Sequence, residues 1–198
     1  MKLVFDVGQV LVRWDPMPVL EEILGGPAAL AAFHEVVDFP ALHGEQDRGR
    51  SVAAAVAWAR VSAPEYADAL KAFYGRWLDT IPFAIEESVA LLESRVAAGE
   101  PVYGITNFPG ELWRPTVEAY PFLGKFADVV VSGDEGVVKP DPSIFGLFLE
   151  RNGLEPGDCL FFDDSERNVE AARAAGIDAV LFIGPEVLQP ALLERGLA

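Results

Sequence analysis

Four places in the 198-residue sequence put polar side chains where an apolar run ends or in the loop beyond it. Asp6 follows Leu3-Val4-Phe5, Thr106-Asn107 follows Val102-Tyr103-Gly104-Ile105, Lys139 lies in the loop beyond Asp128-Val129-Val130-Val131, and Asp163-Asp164 follows Leu160-Phe161-Phe162. If these runs are parallel strands of one sheet, their carboxyl ends gather the four places at a single edge, where open α/β sheets hold their ligands. The set has a definite chemistry. A carboxylate nucleophile takes a phosphoryl group as an acyl phosphate that water then hydrolyses, which splits one hard displacement into two easier ones. Asp6 is the candidate nucleophile. The negative phosphoryl group would repel it, and Mg²⁺ held by Asp6 and the Asp163-Asp164 pair would offset that repulsion, while Lys139 and the Thr106 hydroxyl grip phosphoryl oxygens. Two adjacent acids at a sheet edge are hard to justify without a cation, because their mutual repulsion would go unrelieved.

The elements that must position these residues are legible. From about residue 85, short β-rich runs alternate with longer amphipathic stretches, the mark of successive βα units. Ala179-Val180-Leu181-Phe182 reads as a fifth strand, and helices are expected over 85–98, 110–119, 142–152, 166–175 and 185–195. Gly99, Gly153 and Gly176 fit helix stops. The segment from about Asp15 to Phe83 breaks the rhythm: it is alanine-rich, helical in pattern and without a clear strand. The expected architecture is therefore α/β, a doubly wound parallel sheet formed by residues 1–14 and 84–198, with a helical cap inserted over 15–83.

Composition narrows the function. Half of the residues are hydrophobic, enough for a proper core, and a formal net charge of −16 argues against nucleic-acid or anionic-membrane partners. The lone Cys159 lies in an apolar run, fits a reducing compartment and is expected to be buried. The N-terminus leads straight into a strand and no apolar stretch reaches membrane-spanning length, so a cytoplasmic protein without a signal peptide is expected. The partner expected is a small phosphorylated metabolite; the sequence leaves the oligomeric state open.

Taken in order, the motifs resemble those of the haloacid dehalogenase (HAD) superfamily, in its subclass with a helical cap. Asp6-Val7-Gly8-Gln9-Val10-Leu11 is similar to the first motif, Ile105-Thr106-Asn107 to the second, Val138-Lys139-Pro140-Asp141-Pro142 to the third, and Phe161-Phe162-Asp163-Asp164-Ser165 with Asn168 to the fourth. The resemblance implies a Rossmann-like core, Asp6 as nucleophile, and Thr106 and Lys139 as phosphate holders. It implies Mg²⁺ bound by Asp6, Asp164 and the backbone carbonyl of Gly8, with Asp163 and Asn168 acting around it and Asn107 supporting the second loop.

The departure is Gly8. Phosphatases of the superfamily typically carry a second Asp there, which protonates the leaving oxygen and later activates water; glycine can exchange no proton, and such a step is worth roughly 10²–10⁴-fold in rate. A subset resembling sugar-phosphate phosphatases shares the Asp-x-Gly-x-Val pattern, followed as here by a string like Arg13-Trp14-Asp15-Pro16. Trp14 is a candidate for lining the entrance, and Arg13 either complements substrate charge or pairs with a surface carboxylate. The polar cap stretch Leu42–Arg50 resembles an acidic-Arg-Gly turn of that subset and is expected to face the site, with His43, Glu45 and Asp47 as candidate proton donors. Trp58, Trp77 and the other cap aromatics read as core.

Three functions follow. The first is a Mg²⁺-dependent phosphatase of a small phosphorylated metabolite, a sugar phosphate among the candidates. The second is a metal-independent 2-haloacid dehalogenase, whose leaving halide needs no proton; enzymes of that kind resemble Ser-Ser-Asn, not an acidic pair, at the fourth motif. The third is a non-catalytic protein that binds a metabolite or partner.

Overall fold

The computed structural model describes residues 1–197. Five strands form one parallel sheet: β1 (Lys2–Phe5), β4 (Val102–Thr106), β5 (Asp128–Val131), β6 (Cys159–Asp163) and β7 (Asp178–Leu181), in the order β5-β4-β1-β6-β7. Two residues each of β2 (Val12–Arg13) and β3 (Phe83–Ala84) pair antiparallel in a separate ribbon at the two ends of the inserted segment.

The period of two along a strand decides what each face buries. Leu3 and Phe5, with Val102, Leu160 and Phe162, join one apolar cluster under α6 (Glu86–Ala97), α7 (Gly110–Ala119) and α11 (Leu188–Glu194). Val4, Tyr103, Ile105, Cys159 and Phe161 turn the other way, onto Ile144, Phe145 and Phe148 of α9 (Pro142–Asn152) and Val169 and Ala172 of α10 (Glu166–Ala174). Helices thus cover both faces, as a doubly wound sheet requires. Cys159 is buried as expected of a small hydrophobe.

Helices α1 (Met17–Leu24), α2 (Pro27–Val36), α3 (Phe39–Asp47), α4 (Val52–Ser62) and α5 (Ala67–Gly75) lie between β2 and β3 and bury a third cluster of their own, with Leu20, Phe33, Leu70 and Phe73 at its centre. The end of this segment belongs elsewhere: Trp77 and Ile81 pack into the cluster of the sheet. Trp58 is a correction, since it is 38% exposed and not core. The packed face of α4 is Ala55, Val56 and Ala59, and at 100° per residue Trp58 falls on its flank.

Cap and sheet meet along a seam of backbone. Ser132, the first residue of the short helix α8 (Ser132–Glu135), accepts a hydrogen bond from Phe108 N at 2.9 Å and donates one to the Asp47 carbonyl at 2.6 Å. A Cβ added to Gly49 would lie 2.8 Å from the Gly133 carbonyl oxygen, and one added to Gly133 would lie 2.3 Å from Gly110 N. Glycine is required at both positions for the chains to approach this closely, and Gly49 also adopts φ of +96°. Among the described residues, no helix is long and apolar enough to cross a membrane.

Candidate active site

The carboxyl edge of the sheet assembles what the motifs separate in sequence. Asp6 leaves β1 with its amide still tied to the Phe162 carbonyl at 2.9 Å, and its Oδ1 accepts from Val7 N at 2.7 Å. Lys139 enters from the loop after α8 with a fully buried side chain, and its Nζ meets three oxygens: Asp163 Oδ2 at 2.7 Å, the Ile105 carbonyl at 2.8 Å and Asp6 Oδ1 at 2.9 Å. Its three donors are thereby used. Asn107 fixes the lysine backbone from both sides, accepting from Lys139 N at 2.8 Å and donating to Lys139 O at 3.0 Å.

The acidic pair divides by environment. Asp163 is fully buried; its Oδ1 accepts from Ser165 N at 2.8 Å and Asn168 Nδ2 at 3.0 Å, while Oδ2 takes Lys139 and a 3.2 Å contact from the same Asn168 amide. Ser165 stands at the N-cap position of α10, yet makes no side-chain cap bond. Asp164 is exposed. One oxygen from each of Asp6, Asp163 and Asp164 lies within 4.8 Å of the others. Such a convergence of hard carboxylate oxygens fits a divalent cation of the Mg²⁺ type.

The electrostatics agree with that fit. Burial pushes Asp6 up to about 7; Lys139 pulls it back, and the Asp163 and Asp164 charges raise it again. Partial burial and then Asp163 raise Asp164. Burial works against the charge on Lys139, but Asp163 and then Asp6 outweigh it and hold the ammonium above its ordinary value. Three acids against one ammonium leave a deficit of positive charge.

Beside this cluster lies a cavity of about 70 Å³, lined on the sheet side by Gly8, Asn107 and Phe108 and on the other by Trp14, His43, Asp47 and Trp77. At about 30 Å³ for each water, it has room for about two. Four buried side-chain polar atoms lack a hydrogen-bond partner among the described residues, and three border the site: Thr106 Oγ1, Trp14 Nε1 and Asp47 Oδ1, the fourth being Ser88 Oγ. Buried polar groups are otherwise nearly always paired, so three unpaired atoms around one site set this region apart from the rest of the described residues. Trp77, expected as core, is buried and also lines the cavity, with Nε1 donating to Thr116 Oγ1 at 3.1 Å.

The cap stretch does face the site, and its three acid-base candidates differ. Glu45 is half-exposed and pairs with Arg48 at 3.4 Å. His43 is buried in a stack with Trp14, Phe39, Tyr74 and Trp77, at ring centroid distances of 5.0, 5.7, 6.1 and 5.6 Å, and burial lowers it to about 4. Asp47 lines the cavity, its side chain 18% exposed. Arg13 is exposed, donates to Gln9 Oε1 at 3.0 Å and stands with Asp164 on a wider groove outside the cavity. Ser132, which joins the second loop to Asp47, carried no sequence signal.

A family model described as a haloacid dehalogenase-like hydrolase matches residues 3–176. Among curated proteins, the phosphoglycolate phosphatase of Escherichia coli is 33% identical over 109 residues, covering 54% of this chain and 43% of that one. The phosphorylated carbohydrates phosphatase of Thermotoga maritima is 42% identical over 76 residues, 37% of this chain and 35% of that one. The chain thus spans less than half the length of these relatives in the matched regions. In fold it is similar to the HAD family enzyme bt-2542 of Bacteroides thetaiotaomicron, with a TM-score of 0.77 at 20% identity, covering 96% of this chain and 97% of that one. Another structure of that enzyme contains magnesium and inorganic phosphate, with a TM-score of 0.72 at 20% identity, covering 91% and 92% of the two chains. With the matched motifs gathered at one sheet edge, this chain belongs to the haloacid dehalogenase-like hydrolases.

Proposed function

We propose that the protein is a Mg²⁺-dependent phosphatase of a small phosphorylated metabolite, acting through an aspartyl-phosphate at Asp6. The observation that carries this reading is the junction of Asp6, Lys139, Asp163 and Asp164, in which three carboxylate oxygens lie within 4.8 Å of one another beside a buried, unpartnered Thr106 hydroxyl. Asp6, Asp164 and the Gly8 carbonyl would hold Mg²⁺, with Asp163 behind them, and the cation would supply charge against which a phosphoryl group can approach a carboxylate. Lys139 orients the nucleophile by its bond to Oδ1, and Asn107 holds Lys139. In this reading the unpartnered Thr106 Oγ1 would donate to a phosphoryl oxygen, and Asn168 fixes Asp163.

The small cavity under a seated cap supports a compact substrate, and the names of the relatives point to phosphoglycolate and phosphorylated carbohydrates. In this reading Trp14, on the cavity, would line that substrate, and Arg13, on the groove outside it, would meet any part that reaches beyond the cavity. The second reading, a dehalogenase, is favoured by Gly8 alone, because halide leaves without a proton. The test is a panel of phosphate monoesters with and without Mg²⁺, run beside halide release from 2-chloropropionate. Mg²⁺-dependent phosphate release that Asp6→Asn abolishes is the expected result; metal-independent halide release, or turnover surviving Asp6→Asn, refutes the proposal.

A further inference from the structure

We infer that the cap supplies the proton-exchanging group that the first loop lacks, and that this group is the carboxyl of Asp47; the inference rests on the phosphatase reading of the site. Gly8 and Asp47 line the same cavity. At Gly8 an added Cβ would meet nothing within 4 Å, so the space where a first-loop acid would stand is open. Asp47 stands on the cap side of that cavity with its side chain 18% exposed, while its Oδ1 is out of contact with solvent and has no hydrogen-bond partner. His43 Nε2 lies 3.8 Å from that oxygen.

The neighbours fit Asp47 to the task and not themselves. With the Gln46 amide oxygen turned toward Arg50 (2.6 and 3.0 Å), the Gln46 amide nitrogen donates to Tyr74 Oη at 2.9 Å. The Tyr74 hydroxyl then faces His43 Nδ1 at 3.4 Å, which leaves the N–H of a neutral His43 on Nε2, toward Asp47. Four groups set the charge around Asp47: neutral His43 on its own helix, Arg48 beside it, Lys139 from the sheet edge and Tyr74 from α5. Burial pushes its carboxyl up to about 7, with Arg48 and Lys139 pulling it back. The backbone cannot drift, since the Asp47 carbonyl is held by Ser132, which also holds Phe108.

The proton balance closes over two steps. As the Asp6–phosphorus bond forms and the ester P–O bond breaks, the leaving oxygen takes the Asp47 proton. The Asp47 carboxylate then takes a proton from water as the water oxygen bonds to phosphorus and the Asp6–phosphorus bond breaks, which restores the Asp6 carboxylate and the Asp47 acid and releases phosphate.

The experiment is rapid-quench kinetics of Asp47→Asn with an alkyl phosphate that the wild type hydrolyses and with 4-nitrophenyl phosphate, both with Mg²⁺. The alkyl ester should lose about 10²–10⁴-fold in kcat. The nitrophenyl ester, whose leaving group needs no proton, should give a stoichiometric burst followed by slow turnover. Gly8→Asp added to Asp47→Asn should recover turnover, because the space is open. Unchanged kcat on the alkyl ester overturns the inference, as does an equal loss on both esters without a burst and without recovery. Failure of the phosphatase reading is separate: it shows as wild-type protein that releases no phosphate, or as turnover that survives Asp6→Asn.

Discussion

His43 should make the cap sensitive to acid, by an amount that follows from its surroundings. Folded, the imidazole is stacked among four aromatic rings and burial lowers it to about 4, whereas in the unfolded chain it titrates near 6.5. Between those values the unfolded chain binds more protons than the folded one, so stability rises with pH and is lost as pH falls from about 6.5 toward 4. For a single site with these two values, lowering the pH from 8 to 4.5 removes about 2.5 kcal/mol. Asp47 works in the opposite sense, since its folded carboxyl keeps a proton that the unfolded one has lost, so the His43 contribution is read as the difference between wild type and a variant that changes His43 alone. His43→Phe keeps an aromatic ring in the stack and abolishes the titration. Urea unfolding of both proteins across pH 4.5–8 should show the wild type losing about 2.5 kcal/mol more than the variant. Parallel stability curves would refute the claim that His43 is held neutral.

Two further perturbations probe the edge and the seam. Lys139→Met leaves Asp6 and Asp163 as buried carboxylates without their cation and should cost about 3–5 kcal/mol at pH 8. Denaturant unfolding without Mg²⁺ measures this, and the loss should shrink at pH 5, where an acid raised to about 7 such as Asp6 is already protonated. Gly49→Ala must place a Cβ 2.8 Å from the Gly133 oxygen at φ of +96° and should cost about 2–4 kcal/mol. A thermal midpoint equal to that of the wild type would count against the tight seam.

The sheet was legible because its strands are short, apolar and bounded, and because period-two alternation sends Leu3 and Phe5 one way and Val4 the other. Helices 110–119 and 142–152 match residue for residue, the latter because Asp141 and Pro142 mark its start and Gly153 its stop. The helix expected over 185–195 instead opens with a 3₁₀ turn at Pro185–Val187 and becomes α-helical at Leu188. The β2–β3 ribbon left no trace, since two residues per strand carry no period. Motif order brought out Asp6, Lys139 and the acidic pair. It could not tell that Asp163 is saturated with donors while Asp164 stands exposed, because that depends on how the α10 turn closes over one carboxylate. Nor could sequence rank His43, Glu45 and Asp47, whose differences are differences of burial and neighbour.

Lys139 has a mechanical consequence beyond its charge. Its ammonium touches the residue after β1, a carbonyl of β4 and the last residue of β6, and it arrives from the loop beyond α8, the short helix that continues β5. These are four adjacent strands of the sheet, and the contact falls where the ladder of backbone hydrogen bonds runs out and strand ends would be free to splay. One cation acts there as a crosspiece that turns four separate loops into a single frame. A folded but inactive reference protein is therefore better made at Asp6, which one strand delivers, than at Lys139, on which four of them close.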